Sequence, residues 1–516
     1  MSGSRVLKSL LVLSLVVLAA ALAVPTADAA KDKVVVAFGS NIPTLDPQLH
    51  TSRLAHIADY HLYDTLLYRY PNQNYQPGPG LATSLKSINP TTWELKLRQG
   101  VKFHNGEAFT AEAVKFSLDR VVDPATKSPV RGTFTWIKEV KIVDDYTVRI
   151  LTEKPFPAVP EFLTLAYIMP PKYVKSVGDE GFAKAPVGTG PYKFVEWKKA
   201  EHLIVEAFPG YWKDSPKGMP KIKTIVFRSI PETTTQIAEL LSGGVDIIRT
   251  VPPDQLEVIK NSTNARVSAT RILRVNFLML DTIGRASKTP LMNQKVREAM
   301  AYAINVDEML DKILSGYGER TASGLNPMHF GFDPSIKPYP FDPERSKKLL
   351  AEAGYPGGFE VTMNTYSGSI TSVDQMADTI TGYLGKVGIK VKRRHIEDVG
   401  TWTKSTREGK LEGMLYFSWG SNSIFDADAF LRDLAHSTEP ASHIKDPELD
   451  KLLDAGRIEV DPKKRQEIYA KAQRLIHEKF YWIPITVQYT IEGVNKDLNY
   501  EASSDEMMRV YRASWK

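Results

Sequence analysis

The chain of 516 residues contains no cysteine. Disulfides, thiolate metal sites and cysteine nucleophiles are thereby excluded. So is a lipid attached to a cysteine at a signal-cleavage site. Long apolar runs are scarce as well. The one that qualifies, Leu10 to Val24, is shorter than the roughly 20 residues of a membrane span. Arg5 and Lys8 precede it and Ala27-Asp28-Ala29 follows. This is the three-part pattern of a cleaved secretory signal over residues 1–29. Dense runs of one charge are missing too. The formal net charge is +6, and Lys390 to Arg394, the most basic stretch, reads as a strand edge. Nucleic acid is therefore not an expected partner.

Catalytic signatures are equally absent. There is no GxSxG elbow, no HExxH and no P-loop. His477-Glu478 lacks a second histidine four residues on. His50, His56 and His61 come nearest to clustering, but their spacings do not share a helical face. Asp426-x-Asp428 starts like a calcium loop, yet Phe430 stands at the third ligand position and no glycine follows in register. No metal and no cofactor are expected. Carboxylates are numerous enough to hide a glycosidase pair, but nothing marks one. A secreted chain without disulfides needs a core large enough to stand alone, and this length predicts more than one domain. With no such lipid tether, the periplasm is the expected compartment.

What is present is patterned. Trp93, Leu95 and Leu97 alternate with Glu94, Lys96 and Arg98, a half-buried strand. Thr110 precedes a helical face of Val114, Ser117, Leu118 and Val121. Val140 to Leu151 reads as a hairpin turning at Asp144-Asp145, and Thr152 to Val174 as a proline-rich connection. His104 reads as a turn residue with a local hydrogen bond. Two strand–helix–strand units follow, each with glycine at the helix exit: 224–248 and 359–391. They predict two α/β lobes with parallel strands. Asp342-Pro343, Asp446-Pro447 and Asp461-Pro462 read as helix starts.

The stretch Leu415 to Leu431 reads two ways. An apolar strand reaches Trp419, followed by Gly420, Ser421, Asn422 and Ser423. An aromatic ring beside hydroxyl and amide groups can orient a small ligand. Alternatively Trp419 is core, and Asp426 or Asp428 caps a helix through Phe430 and Leu434.

Five blocks in order carry a likeness to a known family: Thr44 to Pro47, Trp93 to Arg120, Gly188 to Tyr192, Val296 to Ile304 and Ala351 to Tyr355. The chain resembles the family 5 extracellular solute-binding proteins, the peptide- and nickel-binding components of bacterial ABC importers. The resemblance implies a two-lobed α/β periplasmic binding protein fold, type II, in the large cluster C form. Its hinge would be two crossing strands. Lobe I would comprise 30–272 plus 483–516, with a subdomain inserted at about 63–186. Lobe II would comprise 273–482. Such lobes close over a ligand by hinge motion. The resemblance further implies a monomer that delivers a small solute to a membrane permease, without turnover. A peptide is the expected ligand, with an opine, a sugar-like compound or a metal chelate as the alternative. A secreted carboxylate-pair hydrolase is the rival from another class.

In peptide-binding members a tryptophan followed shortly by an aspartate sits in lobe II, and that aspartate holds the peptide ammonium. Trp419 matches the tryptophan, but the aspartate position reads Asn422, or Ser421 with a shifted gap. The arginines those proteins use after Phe359 are not evident; Tyr366 is the nearest candidate. An amide can hydrogen-bond an ammonium but cannot offset its buried charge. Asn41 and Thr44 are expected on the loop facing the cleft, and Phe134 or Trp136 on the inserted subdomain's side.

Overall fold

The computed structural model describes residues 31–368, 370–420 and 423–516. The expected signal segment at 1–29 lies outside the described residues, as do Ser421 and Asn422 of the expected site.

One hydrogen-bonded sheet of eleven strands runs through the molecule. In chain order these are β1 (Lys33–Phe38), β2 (Tyr192–Lys198), β3 (His202–Ala207), β4 (Thr224–Ser229), β5 (Ile247–Ile248), β6 (Ala265–Leu280), β7 (Gly318–Arg320), β8 (Phe359–Tyr366), β9 (Ile389–Ile396), β10 (Met414–Trp419) and β11 (Trp482–Asn495). Their spatial order is β9-β8-β10-β6-β11-β5-β1-β4-β3-β2, and β7 pairs with β11. Val34 to Val36 are buried in β1, which lies between β4 and β5 and parallel to both. At the far side β8 is parallel to β9 and β10. The helices Thr233–Ser242 and Val373–Lys386 are the crossovers of these two parallel sets. Both units expected from the sequence are present.

The two halves are joined by β6 and β11, which pair antiparallel from Ala265 to Met279. The ladder slips between Arg271 and Val275. A bulge of this kind re-aims the side chains of the unpaired residues, and Arg274 is one of them. The amide of Asn326 donates to the Ile272 and Leu273 carbonyls, and the Leu273 N–H donates to Ser504, so the freed backbone groups are satisfied.

A four-stranded sheet, Ala82–Asn89, Thr92–Leu97, Thr147–Thr152 and Ile137–Asp144, packs with the helix Ala111–Val122 around its own apolar core. Thr110 takes the N-cap position, although its side chain makes no capping bond. The stretch 152–174 holds more structure than a connection. Val159–Leu163 is helical, and Pro171 opens the helix Pro171–Lys184. Proline at the first turn starts a helix as readily as it interrupts one.

Three family-like blocks meet in space. Asp46 of the first pairs with Arg120 of the second at 2.7 Å, with Gln48 on the same guanidinium. His104 reaches the third: its Nδ1 accepts from Gly188 N–H, and its Nε2 donates to the Gly190 carbonyl. Its bonds are therefore long-range rather than local. A Cβ on Gly190 would sit 2.4 Å from the His61 carbonyl oxygen, and one on Gly188 2.0 Å from that of Leu62. Close backbone approach, not turn geometry, fixes these glycines.

Candidate binding site

The bulge in β6 and the end of β10 open onto one cavity. Arg274, Tyr366, Trp402, Trp419, Gly420 and Asp433 line it, and Arg53 reaches it from the first turn of the helix Arg53–Leu62. Its volume is about 130 Å³, against the 10–15 Å³ needed for one water. This is room for a ligand group. Tyr366 and Trp402 stack at 4.3 Å between centroids, giving the cavity a flat aromatic wall. Among the described residues the indole N–H of Trp419 is buried without a partner.

Charge gathers at the same place. Arg53, Arg249 and Arg274 approach the single carboxylate of Glu506 at 3.7, 3.6 and 3.2 Å. Burial pushes Glu506 up, but the three guanidinium groups outweigh it and hold its carboxyl below the usual range. Burial lowers Arg249. For Arg274 the charge of Glu506 prevails over burial, and the group is held above its ordinary value. Glu506 has φ 62°, a left-handed conformation that costs a side chain about 1–2 kcal/mol. Three partly buried arginines thus share the Glu506 carboxylate, with Glu492 as a further acid near Arg249, and an added anion would find charge-assisted donors here. Asp433 adds one acid to the cavity wall; burial raises its pKa, and its ion pair with Arg407 spans 3.9 Å.

Of the residues expected from the sequence, the structure brings Trp419 and Tyr366 together. Asn41 is elsewhere. It accepts from Ser229 and borders a separate depression with Trp197 and His202. Thr44 accepts from the Asp46 N–H at 3.2 Å, ordering the loop that holds the Asp46–Arg120 pair. Trp136 corrects the expectation that it lines the cleft. Its ring packs on Phe156 and Phe162 and its N–H donates to Thr133, so it is core, as is Phe134. Asp426 and Asp428 are structural. Arg465 holds Asp426 through two bonds of 2.6 and 2.7 Å, and Arg457 holds Asp428 at 2.8 Å.

Sequence reasoning missed Arg53, Arg249, Arg274 and Glu506. They come from a helix start, a loop, a bulge and the C-terminal segment, and share no spacing. The one available signal was Arg274 within a strand long enough to cross both halves.

Comparison with known proteins gives consistent results. The model of bacterial extracellular solute-binding proteins, family 5, matches residues 76–442. The glutathione-binding protein GsiB of Escherichia coli K12 is 30% identical over 504 residues, covering 93% of this chain and 94% of its own. The periplasmic binding protein DppA of Helicobacter pylori, solved with the peptide STSA, superposes with a TM-score of 0.81 at 29% identity, covering 94% of this chain and 98% of its own. The binding protein MoaA from A. tumefaciens R10, solved with mannopinic acid, gives a TM-score of 0.79 at 25% identity, covering 94% of this chain and all of its own (100%).

Proposed function

The chain belongs to the family 5 bacterial extracellular solute-binding proteins, and on that premise we propose that it captures a small carboxylate-bearing peptide or peptide-like solute between its lobes for an inner-membrane ABC permease. The observation that carries the ligand class is the cluster of Arg53, Arg249 and Arg274 on one carboxylate at the cavity. A ligand carboxylate accepts charge-assisted hydrogen bonds from these guanidinium groups. Trp419, with its free indole N–H, and the Tyr366–Trp402 wall cover the ligand's body. Asp433 stands where a carboxylate can take an ammonium, the role the sequence left without an owner. Glutathione, a free peptide and an opine acid, the ligands in the relatives' names, all carry carboxylates. An opine thus falls within the same chemistry.

In this reading lobe I comprises 30–272 with 483–516 and lobe II 273–482, with an insertion at about 63–186; the separate apolar clusters around Val36, Met279 and Val148 support such a division, although Ile483 to Val487 pack with the second of them. In this reading the protein works as a monomer in the periplasm, after removal of residues 1–29, and leaves its ligand unchanged.

Native mass spectrometry of protein purified from the periplasm tests the reading. The expected result is one co-purified solute per chain, carrying at least one carboxylate and released intact. A neutral or purely cationic solute, or conversion of the solute on incubation, would reject it.

A further inference from the structure

Three side chains at the start of lobe I form a second constellation, separate from the arginine cluster. His50 lies just before the helix Arg53–Leu62; His56 and Asp59 lie on it, three residues apart. His50 Nε2 is 2.9 Å from Asp59 Oδ2, and His56 Nδ1 is 3.5 Å from that same oxygen. One donor atom from each residue fits within 4.8 Å. The side chains of His50 and Asp59 are 2% and 0% exposed, and His56, at 19%, opens the group to solvent.

Two features do not suit a purely structural hydrogen-bond network. Asp59 is a buried carboxylate, and no lysine or arginine pairs with it among the described residues; its partners are the two imidazoles. Its other oxygen, Oδ1, and Nδ1 of His50 are buried without a hydrogen-bond partner among the described residues, and Nδ1 of His56 reaches Asp59 only at 3.5 Å. Buried polar atoms are normally satisfied, and a cluster of exceptions calls for a reason. A divalent cation provides one, since it neutralises the carboxylate and takes lone pairs from both rings at once.

We propose that His50, His56 and Asp59 bind a divalent transition-metal ion of the zinc class. Two imidazoles and one carboxylate are a donor set that zinc accepts, with ligand bonds of about 2.0–2.2 Å. Three protein ligands leave a fourth position open on the His56 side. Borderline nitrogen donors favour zinc, nickel or copper over magnesium or calcium. The helix sets His56 and Asp59 on one face by their i, i+3 spacing, and the chain's entry into the helix brings His50 over them. The His50 and His56 rings lie 4.6 Å apart between centroids. Tyr167 stacks against His56 at 6.1 Å, and its hydroxyl is also buried without a partner.

The test uses the untagged mature protein, stripped with chelator and titrated with Zn²⁺ by calorimetry. A parallel Co²⁺ titration is followed by visible absorption. One ion per chain is expected, with an intense tetrahedral Co²⁺ spectrum. His56→Ala is the primary variant because its side chain is the most exposed of the three, and it should weaken Zn²⁺ binding at least tenfold. Asp59→Asn should do the same, with an unchanged circular dichroism spectrum as the control for folding. Absence of one-to-one binding to the wild type would overturn the proposal. So would a His56→Ala protein that is folded and keeps the wild-type affinity and spectrum. Solute binding at the arginine cluster is scored separately, so failure here leaves that reading intact.

Discussion

The guanidinium of Arg69 lies 4.3 Å from the ring centre of Phe425, a residue far from it in the chain. Tyr75 stacks on the same ring at 5.4 Å, and the Phe425 N–H donates to Glu161, which Arg69 also holds. Beside it Ile424 is buried in the core of the four-stranded sheet and the helix Ala111–Val122. Arg53 adds a bond of 2.7 Å to the Ser423 hydroxyl. Ser423 and Phe425 are therefore tied to Arg53, Arg69, Tyr75 and Glu161 next to the cavity.

Phe425→Ala should loosen this contact. Removing a buried aromatic ring costs about 3–5 kcal/mol in a core, and less at an interface that can separate. Small-angle scattering should report a larger radius of gyration for the variant. Stopped-flow measurements should report faster solute release with little change in association, the usual pattern for interface changes. An unchanged off-rate would mean that the loop does not hold the lobes together.

Gly190→Ala tests the reading of the third family-like block. The added Cβ would meet the His61 carbonyl oxygen at 2.4 Å, and backbone cannot move aside cheaply. A loss of about 2–4 kcal/mol in chemical denaturation is expected. Gly106→Ala, with open space around its Cβ but φ 87°, should cost less, about 1 kcal/mol.

Glu492 on β11 predicts a pH dependence. Burial pushes its carboxyl from an ordinary 4.5 up to about 7, against the opposing effects of the Tyr500 hydroxyl and Arg249. The folded state then keeps a proton that the unfolded chain loses, so the group's contribution to stability falls as pH rises from about 4.5 to about 7 and is flat above. The fall is on the order of 3 kcal/mol at most. Buried histidines such as His61 pull the other way over part of this range, because burial lowers their pKa. The clean readout is the difference between wild type and Glu492→Gln. That difference should narrow as pH falls from 7 to 5, with the variant gaining relative stability at the upper end. A pH-independent difference would contradict the assignment.

Trp419→Ala removes one wall of the cavity and its unpartnered N–H. Affinity for the co-purified solute should drop at least tenfold, about 1.4 kcal/mol, with thermal stability nearly unchanged because the ring is half-buried at the rim. Unchanged affinity would remove Trp419 from the site.

The fold was legible where local patterns decide it. Gly388 at φ 95° ends one crossover as its position implies, and Asp342, Asp446 and Asp461 cap their helices through side-chain bonds. Trp419, singled out at a strand end, and Tyr366, singled out by the family resemblance, line one cavity because their strand ends converge. Trp136 was not, since a tryptophan after a turn reads the same whether it faces a cleft or a core. The arginines were hidden for a deeper reason. Arg274 owes its direction to a register slip between strands about 200 residues apart in sequence, and Glu506 meets it only once the C-terminal segment has folded back. His50 and His56 share no helical face, so their spacing does not mark a site. The third member, Asp59, is an acid, and His50 lies before the helix begins.

The central claim is that the arginine cluster selects a carboxylate. Calorimetric titration with glutathione and with its carboxylate-amidated form, on wild type and Arg274→Ala, tests it most directly. Amidation and Arg274→Ala should each weaken binding at least tenfold, and together they should cost little more than either alone, because both remove the same contact. Equal affinity for the acid and the amide on the wild-type protein would contradict it.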